Sequence, residues 1–337
     1  MNMTVWEWFE QRSYHHRDFR GLALPVNGVE RPSTTLIFPA RNVAGTIGGI
    51  LAVVADLHAR SGLPDQVIVV DADSPDGTAD IARAHGAEVY SENQLMPNYG
   101  PAQGKGDAMW RSLSVARGDI VMFADADTTD FREHFVYGTL GPLLADPAIQ
   151  FVKAAYRRPY SRETIYVPDG GGRVTELTAK PALNLLFPEL AGFVQPLAGE
   201  FAATRDLFFS VPFLTGYAVE VGMLIDVLQA CGLDAMAQVD AGMRKNRHQD
   251  LSNLSRMGYS VLRAVLTRAM QGRSPVVPGM AGSSWSGPEV GPYLHAVAAA
   301  RGVQLDEYAE IMIERPPMAS ALLPGRDELT AASAGER

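Results

Sequence analysis

Cysteine is almost absent from this chain. Its 337 residues include one, Cys231, so no disulfide can form within the chain and a zinc site built from several cysteines is excluded. Cys231 lies in "VLQACGLD", near the predicted end of a helix, and we interpret it as a small buried apolar side chain. Hydrophobic residues make up 47% of the chain, enough for a sizeable core in one large domain or in one with a smaller appendage.

Basic residues are also scarce. Lys and Arg number 29 against 38 Asp and Glu, which gives a net charge of −9, so a nucleic-acid partner is not expected. The densest basic stretch, residues 244–273, has seven Lys or Arg and one acid, Asp250. We expect it to create a local anion-attracting field, although a solvated helix face is the alternative for Arg256, Arg263 and Arg268.

Long apolar runs are missing too. The stretch "FLTGYAVEVGMLIDVLQACG" is interrupted by Glu220 and Asp226 and does not predict a membrane span. The opening "MNMTVWEWFEQRSYHHRDF" contains no apolar run of the signal-peptide type. We therefore expect a cytoplasmic protein with no membrane partner.

Strands and helices alternate through the first half of the chain, as in "TTLIFPA", "AGTIGGILAVVADLHARSG" and "DQVIVVDAD". This alternation predicts an α/β fold with a mostly parallel sheet covered by helices on both faces. The second half is predicted to be mainly helical, and "YAVEVGMLIDVLQACG" to be an amphipathic helix. We divide the chain into an N-terminal helical extension (1–32), an α/β half (33–160), a mainly helical half (161–323) and a flexible tail (324–337).

Two aspartates, one residue apart, follow an apolar run in "GDIVMFADADTTDF". In an extended chain Asp125 and Asp127 face the same side, and like charges this close favour a bound cation. A helix cap together with a turn residue is the alternative, because aspartate suits both positions. Asp71 and Asp73 also follow a predicted strand, and ligands of parallel sheets bind beyond the carboxyl ends of the strands.

Three further loops have the composition of ligand-binding loops. "PARNVAGT" joins the first strand to a helix, where backbone groups can hold a base and a ribose; a plain turn is the alternative. "GPAQGKGDAMW" places Lys105 between glycines, which suits a phosphate, although the spacing is not that of a P-loop. "GGGRVTE" offers Arg173 and the amides of a helix start to an anion, unless its glycines serve only a helix cap.

Several long blocks carry a family resemblance. "DADSPDGT", "GKGDAMWRSL", "FADADTTDF", "GGGRVTELTAKP", "PLAGEFAATRDLF", "GYAVEVGMLIDVL" and "ERPPM" occur in the order found in the actinobacterial glucosyl- and mannosyl-3-phosphoglycerate synthases of glycosyltransferase family 81. The chain resembles this family over residues 30–320. The resemblance implies the GT-A fold, a nucleotide-sugar donor, Mg²⁺ or Mn²⁺, and transfer of a hexose to the 2-hydroxyl of 3-phosphoglycerate with retention. We also expect a homodimer.

The resemblance implies a role for each candidate residue. It places the nucleotide sugar on Pro39, Ala40, Arg41, Val43, Asp71, Asp73, Lys105, Asp125, Ala126 and Asp127. It places 3-phosphoglycerate on Gly171, Gly172, Arg173, Thr175, Arg244 and Asn246. The implied catalytic residues are Asp127, Leu197 and Glu220, and the implied metal ligands are Asp127 and His248. Retention by double displacement would use Glu200 or Glu220 as the nucleophile, and front-face attack by the acceptor is the alternative.

The chain departs from the mycobacterial members of this family in two places. Those enzymes carry acids where this chain has Val43 and Ala44, which leads us to favour GDP-mannose over UDP- or GDP-glucose. They also carry a metal-binding histidine where this chain has Asn246, and we expect His248 to replace it, because imidazole suits Mn²⁺. A sugar nucleotidyltransferase and a non-catalytic binding module are the rival interpretations; the first would need a long Gly-rich loop where this chain has "PARNVAGT".

Overall fold

A computed structural model describes residues 3–21, 31–162, 165–167, 170–244, 249–273, 293–299, 302–309 and 311–323. Its α-helices are α1 (Val5–Arg12), α2 (Ala44–Ser61), α3 (Thr78–Ala84), α4 (Gly104–Ser112), α5 (Glu133–Ala145), α6 (Lys180–Leu186), α7 (Arg205–Ser210), α8 (Val219–Cys231), α9 (Leu251–Arg268) and α10 (Met318–Ala321). Its strands are β1 (Ser13–His15), β2 (Thr34–Ala40), β3 (Gln66–Asp71), β4 (Glu88–Ser91), β5 (Ile120–Phe123), β6 (Phe151–Arg157), β7 (Tyr160–Arg162), β8 (Ile165–Val167), β9 (Phe201–Thr204), β10 (Phe213–Leu214), β11 (Met236–Met243), β12 (Tyr293–Ala299), β13 (Gly302–Tyr308) and β14 (Glu314–Arg315). The predicted tail, residues 324–337, lies outside the described residues.

Eight of these strands form one sheet, in the order β1-β11-β6-β9-β5-β2-β3-β4. Neighbouring strands are parallel except at β9, which runs antiparallel to both β5 and β6. Helices α2 and α5 cover one face, and α4, α6, α8 and α9 cover the other. The predicted α/β fold with a mostly parallel, doubly covered sheet is confirmed.

Three strands of this sheet were not predicted. Strands β9 and β11 come from the half expected to be mainly helical, and β1 comes from the expected helical extension. Strand β1 has three residues and β9 has four, too few for an apolar pattern to be recognised. Trp8 of α1 is fully buried, and its indole Nε1 donates to the carbonyl of Met236 at 2.7 Å. The N-terminal segment therefore belongs to the sheet and its core.

Helix α8 is the helix predicted to be amphipathic, and that prediction is wrong. Every residue from Val219 to Val227 is buried. The two acids that interrupt this stretch are paired inside the fold, Glu220 with Lys105 and Asp226 with Arg268. Buried carboxylates are tolerated when they are paired in this way, so the buried part of α8, Val219 to Val227, can contain them. None of the helices in the described ranges has the length and apolar character that crossing a membrane requires.

Two arginines of the basic stretch at residues 244–273 are not exposed to solvent, contrary to the prediction. Arg244 and Arg268 are both fully buried. Arg268 donates to Asp226 at 2.7 Å and also pairs with Glu314. Neither an anion-attracting surface nor a solvated helix face describes these two side chains, because acids inside the fold neutralise them.

Candidate active site

A cavity of about 690 Å³ opens beyond the carboxyl ends of β2, β3 and β5. Most of the residues predicted for the two substrates line it. They are Pro39, Ala40, Arg41, Val43, Lys105, Asp125, Ala126, Asp127, Gly171, Gly172, Arg173, Thr175, Leu197 and Glu220. Segments far apart in the sequence thus contribute to a single cavity, at the edge where ligands of parallel sheets bind.

The two aspartates of the pair have different surroundings. The side chain of Asp127 is 56% exposed, and its Oδ1 lies 3.9 Å from Nη2 of Arg244. Asp125 is largely shielded and accepts hydrogen bonds from Lys105 and, at 3.0 Å, from Arg244. Neither aspartate caps the next helix, because Arg132 is the N-cap of α5. The alternative of a helix cap is therefore wrong, and Asp127 is the carboxylate of the pair that is open to the cavity.

Lys105 bridges two acids. Its Nζ donates to Asp125 and, at 2.7 Å, to Oε1 of Glu220. Burial opposes the charge on Lys105, but the two carboxylates outweigh it and raise its pKa above the ordinary value. Burial likewise opposes the charge on Asp125, yet Lys105 and Arg244 hold the pKa of Asp125 below its ordinary value. Both groups are therefore charged at neutral pH, and each fixes the position of the other.

Arg244 requires a correction, because it was predicted to bind the acceptor. Its guanidinium is fully buried and does not line the cavity. Its nitrogens donate to Asp125, Glu200, Thr128 and the hydroxyl of Tyr156. With these partners Arg244 holds Asp125 from inside the fold, while its Nε has no hydrogen-bond partner among the described residues.

Glu200 also lies away from the cavity. It is buried and accepts hydrogen bonds from Arg244 and, at 3.0 Å, from the hydroxyl of Tyr156. Burial raises the pKa of Glu200, and the nearby charge of Asp125 adds to this although Arg244 opposes it. Of the two acids considered for double displacement, Glu220 lines the cavity and Glu200 does not.

The loop before β9 approaches the aspartate pair closely. A Cβ atom at Gly199 would lie 2.3 Å from Oδ1 of Asp125, so the carboxylate has room only because this residue is glycine. Lys153, buried in β6, donates at 2.9 Å to the carbonyl of Ala198, and burial lowers the pKa of Lys153 to about 7. Lys153 and Gly199 together set the position of Leu197, which lines the cavity.

The amides of the first loop are not available to a nucleotide. Those of Asn42, Val43 and Ala44 donate to the side chains of Ser74, Thr78 and Asp76 respectively. The expectation that amides of this helix start hold the base is therefore wrong at these three positions, because each N–H already has an acceptor. Residues 39–41 and Val43 still line the cavity. A nucleotide would therefore contact groups of these residues other than the amide of Val43.

Asp71 and Asp73 shape the rim of the cavity without lining it. Asp71 accepts the amide of Ser74 at 2.9 Å, and its Oδ1 is buried with no partner among the described residues. Hydrogen bonds from Ser91 and Asn93 lower the pKa of Asp73. Neither side chain lines the cavity, whereas Ala72, between them, does; a contact of Asp71 and Asp73 with the donor stays a prediction.

The predicted acceptor loop lies beside an arginine that the sequence had not singled out. Arg158 and Arg173 both line the cavity; their guanidinium carbons lie 5.3 Å and 5.7 Å from the ring centroids of Tyr156 and Tyr160. Neither arginine pairs with a carboxylate of the described residues, whereas Arg173 donates to the carbonyl of Gln249 at 2.9 Å. Two guanidiniums that form no ion pair among the described residues suit an anionic ligand. Arg158 directly follows the carboxyl end of β6, and this position in the sequence could have identified it as a candidate site residue.

The two candidates for the second metal ligand, Asn246 and His248, lie outside the described residues, so the choice between them stays a prediction. In the part of the chain that is described, no three His, Cys, Asp or Glu side chains converge on one point. Asp127 nevertheless fits a hard divalent cation, because its carboxylate is open to the cavity. Mg²⁺ is typically held by one or two carboxylates together with substrate phosphates, so a single protein carboxylate is compatible with a metal that arrives with its substrate.

Comparison with known sequences identifies related proteins. The family description "Glycosyl transferase family 2" matches residues 35–208, from β2 to α7. A glucosyl-3-phosphoglycerate synthase of Petrotoga mobilis is 39% identical over 261 residues, which cover 77% of this chain and 80% of that protein. A glucosyl-3-phosphoglycerate synthase of Mycobacterium tuberculosis is 44% identical over 237 residues, which cover 69% of this chain and 72% of that protein.

Two solved structures resemble this fold closely. A mannosyl-3-phosphoglycerate synthase from Rubrobacter xylanophilus superposes with a TM-score of 0.83 at 53% identity, covering 96% of this chain and all of the other. A glucosyl-3-phosphoglycerate synthase from Mycobacterium tuberculosis, in complex with Mn²⁺, UDP and glucosyl-3-phosphoglycerate, superposes with a TM-score of 0.71 at 37% identity. That match covers 86% of this chain and 91% of the other.

The sheet topology, the cavity at its carboxyl edge and the family match agree on the class of protein: it is a glycosyltransferase of the GT-A fold. The chain belongs to the family of the glucosyl- and mannosyl-3-phosphoglycerate synthases, as its sequence blocks predicted, and its residues 35–208 match the description "Glycosyl transferase family 2". Neither rival interpretation, a sugar nucleotidyltransferase or a non-catalytic binding module, agrees with this membership.

Proposed function

We propose that this enzyme transfers a hexose from a nucleoside-diphosphate sugar to the 2-hydroxyl of 3-phosphoglycerate, with retention at the anomeric carbon. The observation that carries the proposal is the pairing, in one cavity, of an open carboxylate with two guanidiniums that have no carboxylate partner among the described residues. Asp127 suits the metal–diphosphate end of a donor, and Arg158 and Arg173 suit an acceptor with both a carboxylate and a phosphate. The relatives named for this reaction support the same substrates.

The diphosphate of the donor would lie between Lys105 and Asp127. An ammonium group has three N–H donors, and Lys105 uses two of them on Asp125 and Glu220, which leaves one for a phosphate oxygen. Asp127, with His248 as the second predicted ligand, would hold Mg²⁺ or Mn²⁺. When bound, such a cation neutralises the negative charge of the departing diphosphate. Mn²⁺ in the Mycobacterium tuberculosis complexes supports this cofactor.

The acceptor would bind where Gly171, Gly172, Arg173 and Thr175 meet Arg158. The amide of Gly171 already donates to the carbonyl of Arg158 at 2.9 Å, so the loop is fastened to the strand end that carries this second arginine. The two guanidiniums then provide forked donors for the phosphate and the carboxylate. The relative in complex with phosphoglyceric acid supports this class of acceptor.

Retention is best explained by front-face attack. Glu220 lines the cavity, but its Oε1 accepts a hydrogen bond from Lys105 at 2.7 Å, which reduces the nucleophilicity of the carboxylate. Glu200 is buried against Arg244. We therefore propose that Glu220 binds hydroxyl groups of the hexose and that the acceptor oxygen attacks from the side on which the diphosphate leaves.

GDP-mannose is the donor that we favour. The relative named mannosyl-3-phosphoglycerate synthase is 53% identical over 96% of this chain, against 37% over 86% for the glucosyl enzyme of known structure. Val43 and Ala44 replace acids in the first loop, and Val43 lines the cavity. The second candidate is glucosyl transfer from UDP- or GDP-glucose, which the names of the curated relatives favour.

A donor and acceptor panel tests both parts of the proposal. The purified enzyme is given GDP-mannose, GDP-glucose or UDP-glucose with Mg²⁺ or Mn²⁺, and each donor is paired with 3-phosphoglycerate, 2-phosphoglycerate or glycerate. We expect the highest kcat/KM with GDP-mannose and 3-phosphoglycerate, and no product with 2-phosphoglycerate, whose 2-oxygen is blocked. A higher kcat/KM with a glucose donor would show that the enzyme transfers glucose and not mannose. Absence of transfer to 3-phosphoglycerate from every donor would refute the proposed acceptor.

The predicted homodimer stays a prediction. Light scattering on the eluting peak of a size-exclusion column measures the mass in solution, and the monomer mass is 36.4 kDa. A mass of twice this value is the expected result.

A further inference from the structure

A second cavity, of about 420 Å³, shares no lining residue with the active-site cavity. It lies where α2, the first turn of α5 and the segment after β1 meet. Its lining residues are His16, Arg17, Arg20, Val53, Asp56, Arg60, Phe131, Arg132, Glu133, His134 and Tyr137. We call it the basic cavity.

Positive charge is concentrated in the basic cavity. Four arginines and two carboxylates line it, whereas the whole chain has a net charge of −9. One arginine, Arg60, pairs with Glu133. In the part of the chain that the structure describes, Arg17, Arg20 and Arg132 form no ion pair. Four guanidiniums against two carboxylates give the lining an excess of two positive charges, and this excess creates a local field that attracts anions.

Two stacked imidazoles also line the basic cavity. The rings of His16 and His134 stack with their centroids 4.4 Å apart. His134 is oriented by a 3.1 Å hydrogen bond from Nε2 to the carbonyl of Ala241. Nδ1 of His16 is shielded from solvent and has no hydrogen-bond partner among the described residues. A buried polar nitrogen without a hydrogen-bond partner is energetically unfavourable, and the described residues offer none to Nδ1 of His16.

We propose that the basic cavity is a binding site for a small phosphate-bearing anion, distinct from both substrate sites. Guanidiniums bind phosphate oxygens through paired N–H donors, and Arg17 and Arg132 reach the cavity from different segments of the chain. Its volume of about 420 Å³ accommodates a phosphate monoester of a few carbon atoms. Binding here does not depend on which sugar the active site transfers.

The basic cavity adjoins the loop that carries Asp127. Phe131 lines the cavity and packs against Phe38 with ring centroids 5.9 Å apart. Phe38 immediately precedes Pro39, which lines the active-site cavity. Asp127 and Arg132 are separated by four residues of the same loop. An anion held by Arg132 therefore restrains the loop on which the diphosphate-facing carboxylate lies.

The test measures phosphate binding in a background where the active site contributes little. A protein carrying both Arg158→Ala and Arg173→Ala is titrated with inorganic phosphate, and its melting temperature is followed against chloride at equal ionic strength. We expect a saturable rise. Adding Arg17→Ala and Arg132→Ala is expected to weaken the apparent affinity by about tenfold or more, since two charge-assisted hydrogen bonds are removed.

The matched control adds Arg83→Ala and Arg117→Ala to the same background, which changes the net charge equally. Both side chains are more than half exposed and line neither cavity, so the phosphate response is expected to persist. If the Arg17/Arg132 protein does not fold by circular dichroism, Arg20→Ala, at an exposed position, makes the same comparison. No saturable response in the Arg158→Ala/Arg173→Ala protein, or an equal response after Arg17 and Arg132 are removed, would show that phosphate does not bind in the basic cavity.

Discussion

The ammonium group of Lys105 lies 2.7 Å from Oε1 of Glu220 and also donates to Asp125. One cation thereby joins the aspartate pair at the end of β5 to the first turn of α8. Because Arg244 donates to the other oxygen of Asp125 at 3.0 Å, both oxygens of that carboxylate are occupied. Asp127 is therefore the aspartate of the pair whose carboxylate is accessible to a metal ion.

We expect Asp127→Ala to lower kcat by on the order of 10²–10³-fold or more, because the charge that develops on the diphosphate loses its support. Steady-state kinetics with Mn²⁺ and after treatment with EDTA measure the effect. Asp80→Ala, which removes an exposed acid outside the cavity, is the control and is expected to leave kcat unchanged. Full activity of the parent enzyme in EDTA would contradict the metal requirement.

Gly199→Ala is expected to abolish transfer, because a Cβ atom would lie 2.3 Å from Oδ1 of Asp125 and force the carboxylate away from Lys105. Gly49→Ala is the matched control: a Cβ there meets nothing within 4 Å, and alanine in a helix is preferred over glycine by up to about 1 kcal/mol. Activity and melting temperature are measured for both. An active Gly199→Ala enzyme would show that the close approach to Asp125 is dispensable.

Arg158→Ala and Arg173→Ala are each expected to raise KM for 3-phosphoglycerate much more than KM for the donor. Loss of a charge-assisted hydrogen bond costs about 1.5–3 kcal/mol, roughly a ten- to hundredfold effect. Initial rates with each substrate varied in turn separate the two constants. A change confined to the donor KM would assign this part of the cavity to the wrong substrate.

Lys153 predicts a pH dependence of stability. Burial lowers its pKa in the folded protein to about 7 from 10.5, so the unfolded chain binds more protons between these values. The free energy of unfolding is therefore expected to gain, from this group, up to about 1.4 kcal/mol per pH unit as pH rises from about 7 to 10.5. Urea unfolding of the parent and of Lys153→Met, compared at pH 7, 8 and 9, gives the difference in slope; equal slopes would show that Lys153 has an ordinary pKa.

His248→Ala is expected to weaken the dependence on metal strongly, and Asn246→Ala to be milder. An imidazole must be neutral to bind a metal, so the metal requirement of the parent enzyme is expected to be greater near pH 6 than near pH 8. Activity is titrated with Mn²⁺ at both pH values. An unchanged requirement in His248→Ala beside a severe loss in Asn246→Ala would identify the asparagine as the ligand.

The sequence alone determined the features that depend on neighbouring residues. Apolar runs alternating with helical spacing specify strands and helices, and their order specifies a mostly parallel sheet. Polar residues that closely follow a strand lie at the carboxyl edge of the sheet, which placed Asp125 and Asp127 in the cavity. The blocks around them carried the family resemblance. None of these conclusions depends on which distant segments of the chain are in contact.

Only the tertiary structure decided which charges are neutralised. Arg244 looks like a ligand-binding arginine in its basic stretch, but folding buries it against Asp125 and Glu200, more than forty positions away in the sequence. Arg158 and the basic cavity were missed because the balance of charges around them is set across the fold: Arg158 forms no ion pair among the described residues, and four arginines but only two carboxylates line the basic cavity. The free energy of a buried charge depends on its partners across the fold, and local patterning does not contain that information.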